Sequence, residues 1–212
     1  MLDTDERIQE YALKHSSALP SLLQKIERET FLQVPMPQML SGPMQGLLLQ
    51  MVTAMIRPQR ILEIGTFTGY SAICMASAMP TEAKLYTIDC NEELEKRVRG
   101  YVEEAGMKER IDFRVGKALD IIPQLHETWD FVFIDADKQN YQTYYQAVFP
   151  FVRPGGFILA DNVLWSGKVV EEKKDKKTTY IHAFNECIRQ DDRVENLILP
   201  LRDGVNIIRK KG

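Results

Sequence analysis

The residues best suited to chemistry follow two apolar runs in the second half of the chain. One run, DFVFID, ends in Asp135 with Lys138 close behind, and the other, GFILAD, ends in Asp161 and Asn162. The carboxyl ends of neighbouring parallel strands meet at one edge of a sheet, so these oxygen donors are expected to come together. Such donors, without imidazole or thiolate, favour Mg²⁺, Mn²⁺ or Ca²⁺. The sequence therefore predicts a divalent-cation site, although each acid taken singly could instead cap a helix.

A glycine-containing turn follows the first apolar run, RILEI. The chain reads Gly65, Thr, Phe67, Thr, Gly69, Tyr70 before a helical segment begins. Two glycines after a strand allow a tight turn and a close approach of a ligand to the backbone. The dinucleotide fingerprint G-x-G-x-x-G would need glycine at positions 67 and 70. The turn is therefore better suited to a cofactor without a pyrophosphate, which counts against an NAD-dependent oxidoreductase.

Two further acids lie at or near strand ends beside this turn. Asp89 ends the run KLYTID and is well placed to accept hydrogen bonds from ribose hydroxyls, or alternatively to cap the next helix. Glu63 lies near the end of an apolar run, where an unpartnered carboxylate would be costly to bury. S-adenosylmethionine carries an α-amino group and a sulfonium, so it would supply a positive partner for such an acid.

The elements that must position these residues are short apolar runs separated by helical segments. Runs of this kind are typical of parallel strands covered by helices. The five runs occupy residues 60–64, 84–89, 111–115, 130–135 and 156–161. A last pair, at 197–201 and 205–209, is joined through Asp203 and Gly204, which predicts an antiparallel hairpin.

The N-terminal part is predicted to be helical. Residues 4–30 show helical spacing of apolar positions, and Pro20 divides them into two helices. Residues 31–43 are expected to form a proline-containing loop. The segment MQGLLLQMVTAMI, residues 44–56, has the apolar density of a buried helix and is stopped by Pro58.

The bulk composition is that of one globular domain. The chain has 212 residues, which predicts a single domain made of an N-terminal helical extension, 1–37, and a core, 38–212. A net charge of -3 gives no general attraction to nucleic acid or to an anionic membrane. The three cysteines lack C-x-x-C spacing, and we find neither a signal peptide nor a membrane span of about 18 apolar residues. We therefore expect a cytoplasmic protein that does not bind membranes.

Three strings in the chain resemble one family. LEIGTFTGYS, DFVFIDADK-x-NY and PGGFILADNVLWSGKV are similar to the motifs of the cation-dependent O-methyltransferases, the caffeoyl-CoA and catechol group with its bacterial relatives. The resemblance covers about residue 38 to the C-terminus. It implies an α/β fold with a Rossmann-like, seven-stranded S-adenosylmethionine methyltransferase sheet: five parallel strands, a C-terminal antiparallel hairpin, helices on both faces and an N-terminal helical extension. It also suggests a homodimer.

The resemblance assigns roles residue by residue. The positions that match the family's cofactor site are Met39, Glu63, Gly65, Thr66, Ser71, Asp89, Ala118 and Asp135. Within this set, Asp89 matches the acid that binds the ribose, and Ala118 matches the position beside the adenine ring. The matches to the family's metal ligands are Asp135, Asp161 and Asn162, while Lys138 matches a lysine proposed as general base.

These assignments imply an enzyme that methylates a hydroxyl oxygen. Its cofactors would be S-adenosylmethionine and a divalent cation, Mg²⁺ ahead of Mn²⁺ or Ca²⁺. Asp135 and Lys138 would be its catalytic residues, with the cation stabilising the substrate oxyanion and Lys138 accepting the hydroxyl proton. The expected substrate is a small catechol-like or phenolic molecule.

Two alternatives stay open at this point. One is methylation of 5-hydroxyuridine at the wobble position of tRNA, with phosphate contacts from Lys168, the lysines of 173–177 and the RKKG tail. The other is an NAD-type Rossmann oxidoreductase, which the glycine turn disfavours.

Overall fold

A computed structural model of the chain describes residues 6–212. Contacts divide the described chain into two compact units, one ending at Lys117 and the other running from Ala118 to Gly212. We call these the first unit and the second unit. The part of the predicted N-terminal helix at residues 4 and 5 lies outside the described residues.

The first unit begins with the predicted pair of helices on either side of Pro20. Helix α1 is Glu6–Lys14 and helix α2 is Ser21–Gln33. The loop prediction for 31–43 is wrong at three places, because α2 continues to Gln33, Pro37–Met39 forms a 3-10 turn and the next helix begins at Gly42. The helix continues until the chain meets Pro35, and Val34, the residue before this proline, is extended.

Helix α3, Gly42–Ile56, begins slightly earlier than predicted and packs on helix α4, Tyr70–Ala78. Contact is close at Gly46, where an added Cβ would lie 2.9 Å from Cys74 Sγ. By length and composition alone, the stretch Pro37–Ile56 could cross a membrane, contrary to our expectation that the chain has no such stretch. The packing of α3 against α4 is that of a core helix of the first unit.

Three parallel strands form the sheet of the first unit, in the order β3-β2-β1. Their bounds are those predicted: β1 is Arg60–Ile64, β2 is Lys84–Asp89 and β3 is Ile111–Val115. Helix α4 follows β1, and helix α5, Glu95–Glu104, follows β2. The central residues of β1 and β2 are buried, as expected for strands covered on both faces.

Four strands form the sheet of the second unit, in the order β4-β5-β7-β6. Strands β4, Trp129–Ile134, and β5, Val152–Asp161, are parallel. Strands β6, Val194–Leu199, and β7, Val205–Lys210, form the predicted antiparallel hairpin, and β7 pairs with β5. Five strands in parallel pairing, an antiparallel hairpin and the N-terminal helices confirm the predicted fold class.

Strand β5 begins at Val152 rather than at the predicted Gly156. The register of its pairing with β4 shifts between Trp129 and Phe131, so a bulge interrupts the ladder. Gly156 lies in this irregular part, where an added Cβ would be 2.8 Å from Val152 Cγ1 and 3.2 Å from the Asp130 carbonyl. A bulge breaks the simple alternation of apolar positions, which is why the pattern did not reveal the start of the strand.

Helices α6, Ala118–Leu125, α7, Tyr141–Val148, and α8, Lys176–Arg189, complete the second unit. Helices α7 and α8 meet through aromatic side chains: the ring of Phe184 lies edge-on to Tyr141, with centroids 5.5 Å apart. Edge-to-face pairs of this kind stabilise a core beyond the area that they bury. The ring of Tyr141 is thereby held close to the ends of β4 and β5.

The turn between β6 and β7 packs against the segment that follows β5. The amide of Val163 donates to the Gly204 carbonyl (3.1 Å), and the amide of Leu164 donates to the Asp203 carbonyl (2.9 Å). Gly204 has a positive φ of 85°, and an added Cβ would lie 2.8 Å from Leu164 Cδ1. Both the backbone conformation and the lack of space require glycine here.

We predict that Gly204→Ala lowers the free energy of unfolding by about 2 kcal/mol or more, from the strained φ and the overlap with Leu164. The matched control is Gly100→Ala on the exposed side of α5, where an added Cβ has nothing within 4 Å. That change should raise the free energy of unfolding by about 0.5 to 1 kcal/mol, because alanine favours helix. Urea unfolding of both variants checks the pair, and equal effects would contradict the packing described here.

Candidate active site

The glycine turn after β1 has the backbone conformation that its sequence predicted. Gly65 and Gly69 have φ values of 101° and 82°, and Phe67 between them is also left-handed, at 48°. The Gly69 amide donates to the Thr66 carbonyl (2.8 Å), and the Gly65 amide donates to the Ile88 carbonyl (2.9 Å). The turn is therefore a fixed loop that is hydrogen-bonded to the end of β2, and its two glycines leave the backbone uncovered by side chains.

Asp89, at the end of β2, holds this turn in place. Its Oδ2 accepts hydrogen bonds from the amides of Thr66 (3.0 Å) and Phe67 (2.7 Å), and its Oδ1 accepts from the Asn91 amide (2.9 Å). Asn91, and not Asp89, caps the following 3-10 turn by accepting from Glu93 N. A carboxylate offers about four lone pairs, so Asp89 keeps acceptor capacity for a ligand hydroxyl.

Glu63 is fully buried, and hydroxyl groups of the chain bind both of its oxygens. Ser71 Oγ donates to Oε1 and Thr87 Oγ1 donates to Oε2, each at 2.5 Å. Thr66 Oγ1 lies 2.5 Å from Thr87 Oγ1 and extends the network to the turn. The expected need for a positive partner is therefore met in part by the chain itself.

Thr87 is a site residue that the sequence reasoning missed. It lies beside Glu63 in the parallel register of β1 and β2. A threonine in the buried middle of an apolar strand, opposite a glutamate, was the available signal. Reading it required the register, which the sequence pattern alone did not supply.

The N-terminal extension reaches the same turn through α2. Thr30 Oγ1 donates to the Ile26 carbonyl (2.7 Å) and lies 3.1 Å from Thr68 Oγ1, within hydrogen-bond distance, and both threonine side chains are buried. Thr68 lies between the two glycines, so α2 supports the turn directly. Met39, predicted to contact the cofactor, is half exposed in the 3-10 turn after α2.

In the second unit, Ala118 is the buried first residue of α6. Asp135 and Lys138 follow β4 and form an ion pair, with Lys138 Nζ 3.2 Å from Asp135 Oδ1. Lys138 opens a 3-10 turn, but its side chain is only 10% exposed. It is therefore not the surface lysine of an ordinary helix start.

Asp161 and Asn162 end β5. Asp161 is buried, with 2% of its surface exposed. Asn162 has a left-handed φ of 57°, which asparagine tolerates better than most residues. The next residue, Val163, is held by the side chain of Asn185 on α8, whose Nδ2 donates to the Val163 carbonyl (2.8 Å). The end of β5 is thus fixed from both α8 and the β6–β7 turn.

Tyr141 joins the ends of the two strands. Its hydroxyl lies 3.0 Å from the Asp161 carbonyl and 3.3 Å from the Ile134 carbonyl, and Lys138 Nζ donates to it at 2.5 Å. Burial raises the pKa of Tyr141 well above its ordinary value, and the nearby charges of Asp135 and Asp161 raise it further. The hydroxyl thus lies where β4 and β5 end, in contact with Lys138 and with the backbone of Asp161.

Asp137, the other acid of this turn, is used internally. Tyr144 OH donates to Oδ1 (2.5 Å) and Asn140 Nδ2 donates to Oδ2 (2.6 Å). These bonds shape the turn that carries Lys138. Asp137 therefore differs from Asp135, which accepts a hydrogen bond from Lys138.

The donor chemistry at the ends of β4 and β5 fits a hard divalent cation. Asp135 and Asp161 supply carboxylate oxygens and Asn162 supplies an amide oxygen, as Mg²⁺ prefers. Within residues 6–212 no group of three or more His, Cys, Asp or Glu could hold a metal ion. The predicted ligand set is not such a group, because it contains only two acids. The third donor of the predicted set is the side-chain amide of Asn162. The prediction of a cation site therefore depends on the type of these donors and on the contacts of Tyr141 with Lys138 and with the Asp161 carbonyl.

Comparison with known proteins identifies the family of the chain. A family described as O-methyltransferase matches residues 13–211. The chain is 34% identical over 196 residues to caffeoyl-CoA O-methyltransferase 5 of Nicotiana tabacum, covering 86% of this chain and 82% of that protein. It is 36% identical over 196 residues to caffeoyl-CoA O-methyltransferase 2 of Zea mays, covering 86% and 74%.

Solved structures are similar along the whole chain. An O-methyltransferase from Bacillus cereus in complex with SAH has a TM-score of 0.90 at 29% identity, covering 100% of both chains. The O-methyltransferase TomG from Streptomyces achromogenes, in complex with SAM, has a TM-score of 0.91 at 27% identity with the same coverage. The chain therefore belongs to the O-methyltransferase family and is an S-adenosylmethionine-dependent O-methyltransferase.

Proposed function

We propose that this methyltransferase requires a divalent cation, Mg²⁺ before Mn²⁺ or Ca²⁺, and methylates a hydroxyl of a small catechol-like or phenolic substrate. The observation that carries the proposal is the position of Lys138, in contact with Asp135 and with Tyr141, whose hydroxyl also bonds the Asp161 carbonyl at the end of β5. A lysine and two carboxylates at adjacent strand ends can hold a cation and move a proton in one place.

The cofactor would be held mainly by the first unit. Asp89 would accept hydrogen bonds from the ribose hydroxyls, and Glu63 would bind the positively charged methionine part. Gly65, Thr66 and Ser71 shape the intervening turn through the bonds described above. Met39 and Ala118 would contact the cofactor as the family resemblance implies, and Asp135 would lie on its metal side.

Asp135, Asp161 and Asn162 would hold the cation, which when bound supplies positive charge that stabilises the deprotonated hydroxyl of the substrate. Lys138 would accept the hydroxyl proton at Nζ, since its amine lies beside the strand ends that would hold the cation and its side chain is largely shielded from water. The fixed strand ends orient these groups before substrate arrives. Most of the acceleration would then come from positioning and charge stabilisation, because no covalent enzyme intermediate is needed.

The proposed substrate is based on the names of similar proteins. The Nicotiana tabacum and Zea mays proteins are caffeoyl-CoA O-methyltransferases by name, which supports a phenolic acceptor. These names give no support to the tRNA alternative, and family membership excludes the oxidoreductase. On the family resemblance we also propose a cytoplasmic homodimer.

We predict that the enzyme with Mg²⁺ transfers a labelled methyl group from S-adenosylmethionine to small catechols or caffeoyl esters, because vicinal oxygens suit a chelating site. Unmodified tRNA and tRNA carrying 5-hydroxyuridine should stay unlabelled in the same assay. Product analysis by mass spectrometry identifies the methylated oxygen. Labelling of the hydroxyuridine tRNA alone would overturn the choice of substrate.

We predict that EDTA abolishes turnover and that added Mg²⁺ restores it. Asp161→Asn should lower turnover at least about 100-fold, because it removes the charge of a ligand oxygen and so weakens binding of the cation that would stabilise the deprotonated hydroxyl. Asp192→Asn is the control and should keep turnover, since Asp192 is an exposed acid away from these strand ends. Full activity in EDTA would rule out the cation mechanism.

We predict that Lys138→Ala lowers kcat by about 10² to 10⁴, the usual contribution of a positioned acid–base group. The Kd for S-adenosylmethionine, measured by calorimetry, should stay within about twofold, because the proton transfer contributes nothing to ground-state binding. Lys14→Ala is the control, since that lysine is exposed and pairs with Glu10 on α1. Unchanged kcat in Lys138→Ala would mean that another group accepts the proton.

A further inference from the structure

We propose that Tyr141 is a positioning residue of the active site: its hydroxyl fixes the amine of Lys138 and ties together the strand ends that carry Asp135 and Asp161. The inference rests on the proposed role of Lys138 as the proton acceptor. It adds a residue to which the proposed reaction assigns no role. The hydrogen-bonding capacity of a single phenol limits what Tyr141 can do.

A phenol hydroxyl has one proton to donate and can accept hydrogen bonds at its oxygen. At Tyr141 the proton can go to the Asp161 carbonyl at 3.0 Å or to the Ile134 carbonyl at 3.3 Å. The oxygen then accepts from Lys138 Nζ. One buried group thus links the ends of β4 and β5 to the lysine.

The two carbonyls end the paired parts of their strands. Ile134 is the last residue of β4 and pairs with Ala160 of β5, and Asp161 is the last residue of β5. The hydroxyl of Tyr141 lies within hydrogen-bond distance of both carbonyls where the ladder of β4 and β5 stops, and its one proton can go to either of them. Because buried carbonyls need donors, this shared contact keeps the two strand ends close together.

Tyr141 and Asp135 both contact the amine of Lys138. Its Nζ bonds Tyr141 OH and Asp135 Oδ1, and it lies 4.5 Å from the centroid of the Tyr141 ring. Donating to these two oxygens fixes the position of Nζ at the ends of β4 and β5. Tyr141 therefore determines where a proton can be accepted.

The Tyr141→Phe variant isolates the hydroxyl. Phenylalanine keeps the ring, its edge contact with Phe184 and its face toward Lys138. The matched control is Tyr145→Phe on the same helix, since Tyr145 is also buried and lies edge-on to Phe184. The Tyr145 hydroxyl donates instead to Asp191 (2.8 Å), a residue paired with Arg193 beyond the end of α8.

The first measurement is independent of catalysis. Lys138 is acetylated with a sulfonated N-hydroxysuccinimide ester at fixed pH, and its labelling rate is followed by mass spectrometry. We expect labelling several-fold faster in Tyr141→Phe than in the natural protein or in Tyr145→Phe, because the freed amine reaches solvent more often. Thermal unfolding of both variants checks that each is folded at the labelling temperature. Equal labelling rates would overturn the proposal, whatever the enzyme's activity.

The second measurement is a double-mutant cycle on turnover. Tyr141→Phe should lower kcat by about 10- to 100-fold through misplacement of the amine, with KM for S-adenosylmethionine unchanged. In the Lys138→Ala background the same change should alter kcat by less than about twofold, because its effect acts through the lysine. A purely structural role would give the same loss in both backgrounds and would overturn the inference.

The two measurements separate the inference from the proposed function. If Lys138→Ala keeps full turnover, the lysine is not the proton acceptor, and the catalytic part of the inference fails with it. The labelling result still decides whether Tyr141 anchors the lysine. Faster labelling together with coupled turnover is the outcome that supports the whole proposal.

Discussion

The structure depends on keeping carboxylates charged at the ends of buried strands. Removing such a group from water costs several kcal/mol unless hydrogen-bond donors replace the water. Glu63 is bonded by two hydroxyls and Asp89 by three backbone amides. Asp135 is paired with Lys138. The residues that shape the site are thus largely those that satisfy its acids.

This requirement explains why elements remote in sequence converge on the site. The glycine turn must place two amides on Asp89, so its conformation is fixed by the strand that follows it along the chain. Thr30 of the N-terminal extension supports the same turn through Thr68. In the second unit, α8 and the β6–β7 turn hold the segment after Asn162 through the backbone of Val163. Each unit therefore supports its acids with helix and loop contacts of its own.

The sequence predicted what depends on local pattern. The bounds of β1, β2 and β3 follow from short apolar runs, and the acids at or near the strand ends were found because parallel strands present their carboxyl ends together. Features that depend on register or on tertiary contact were not found. Thr87 matters because it lies opposite Glu63, and the start of β5 is hidden by a bulge. Tyr141 lies within a recognised motif, but its three contacts exist only after α7 packs on the strand ends.

The type of donor at each acid bears on what the site can bind. A hydroxyl or an amide stabilises a carboxylate without cancelling its charge, whereas an arginine or lysine pairs with it and neutralises it. In the first unit hydroxyls bond Glu63 and backbone amides bond Asp89, and neither kind of donor cancels the charge of a carboxylate. In the second unit Lys138 already pairs with Asp135, and a bound cation would compete with it for the same carboxylate. Tyr141 matters most in that competition, because its oxygen gives the lysine a second acceptor when Asp135 turns toward a cation.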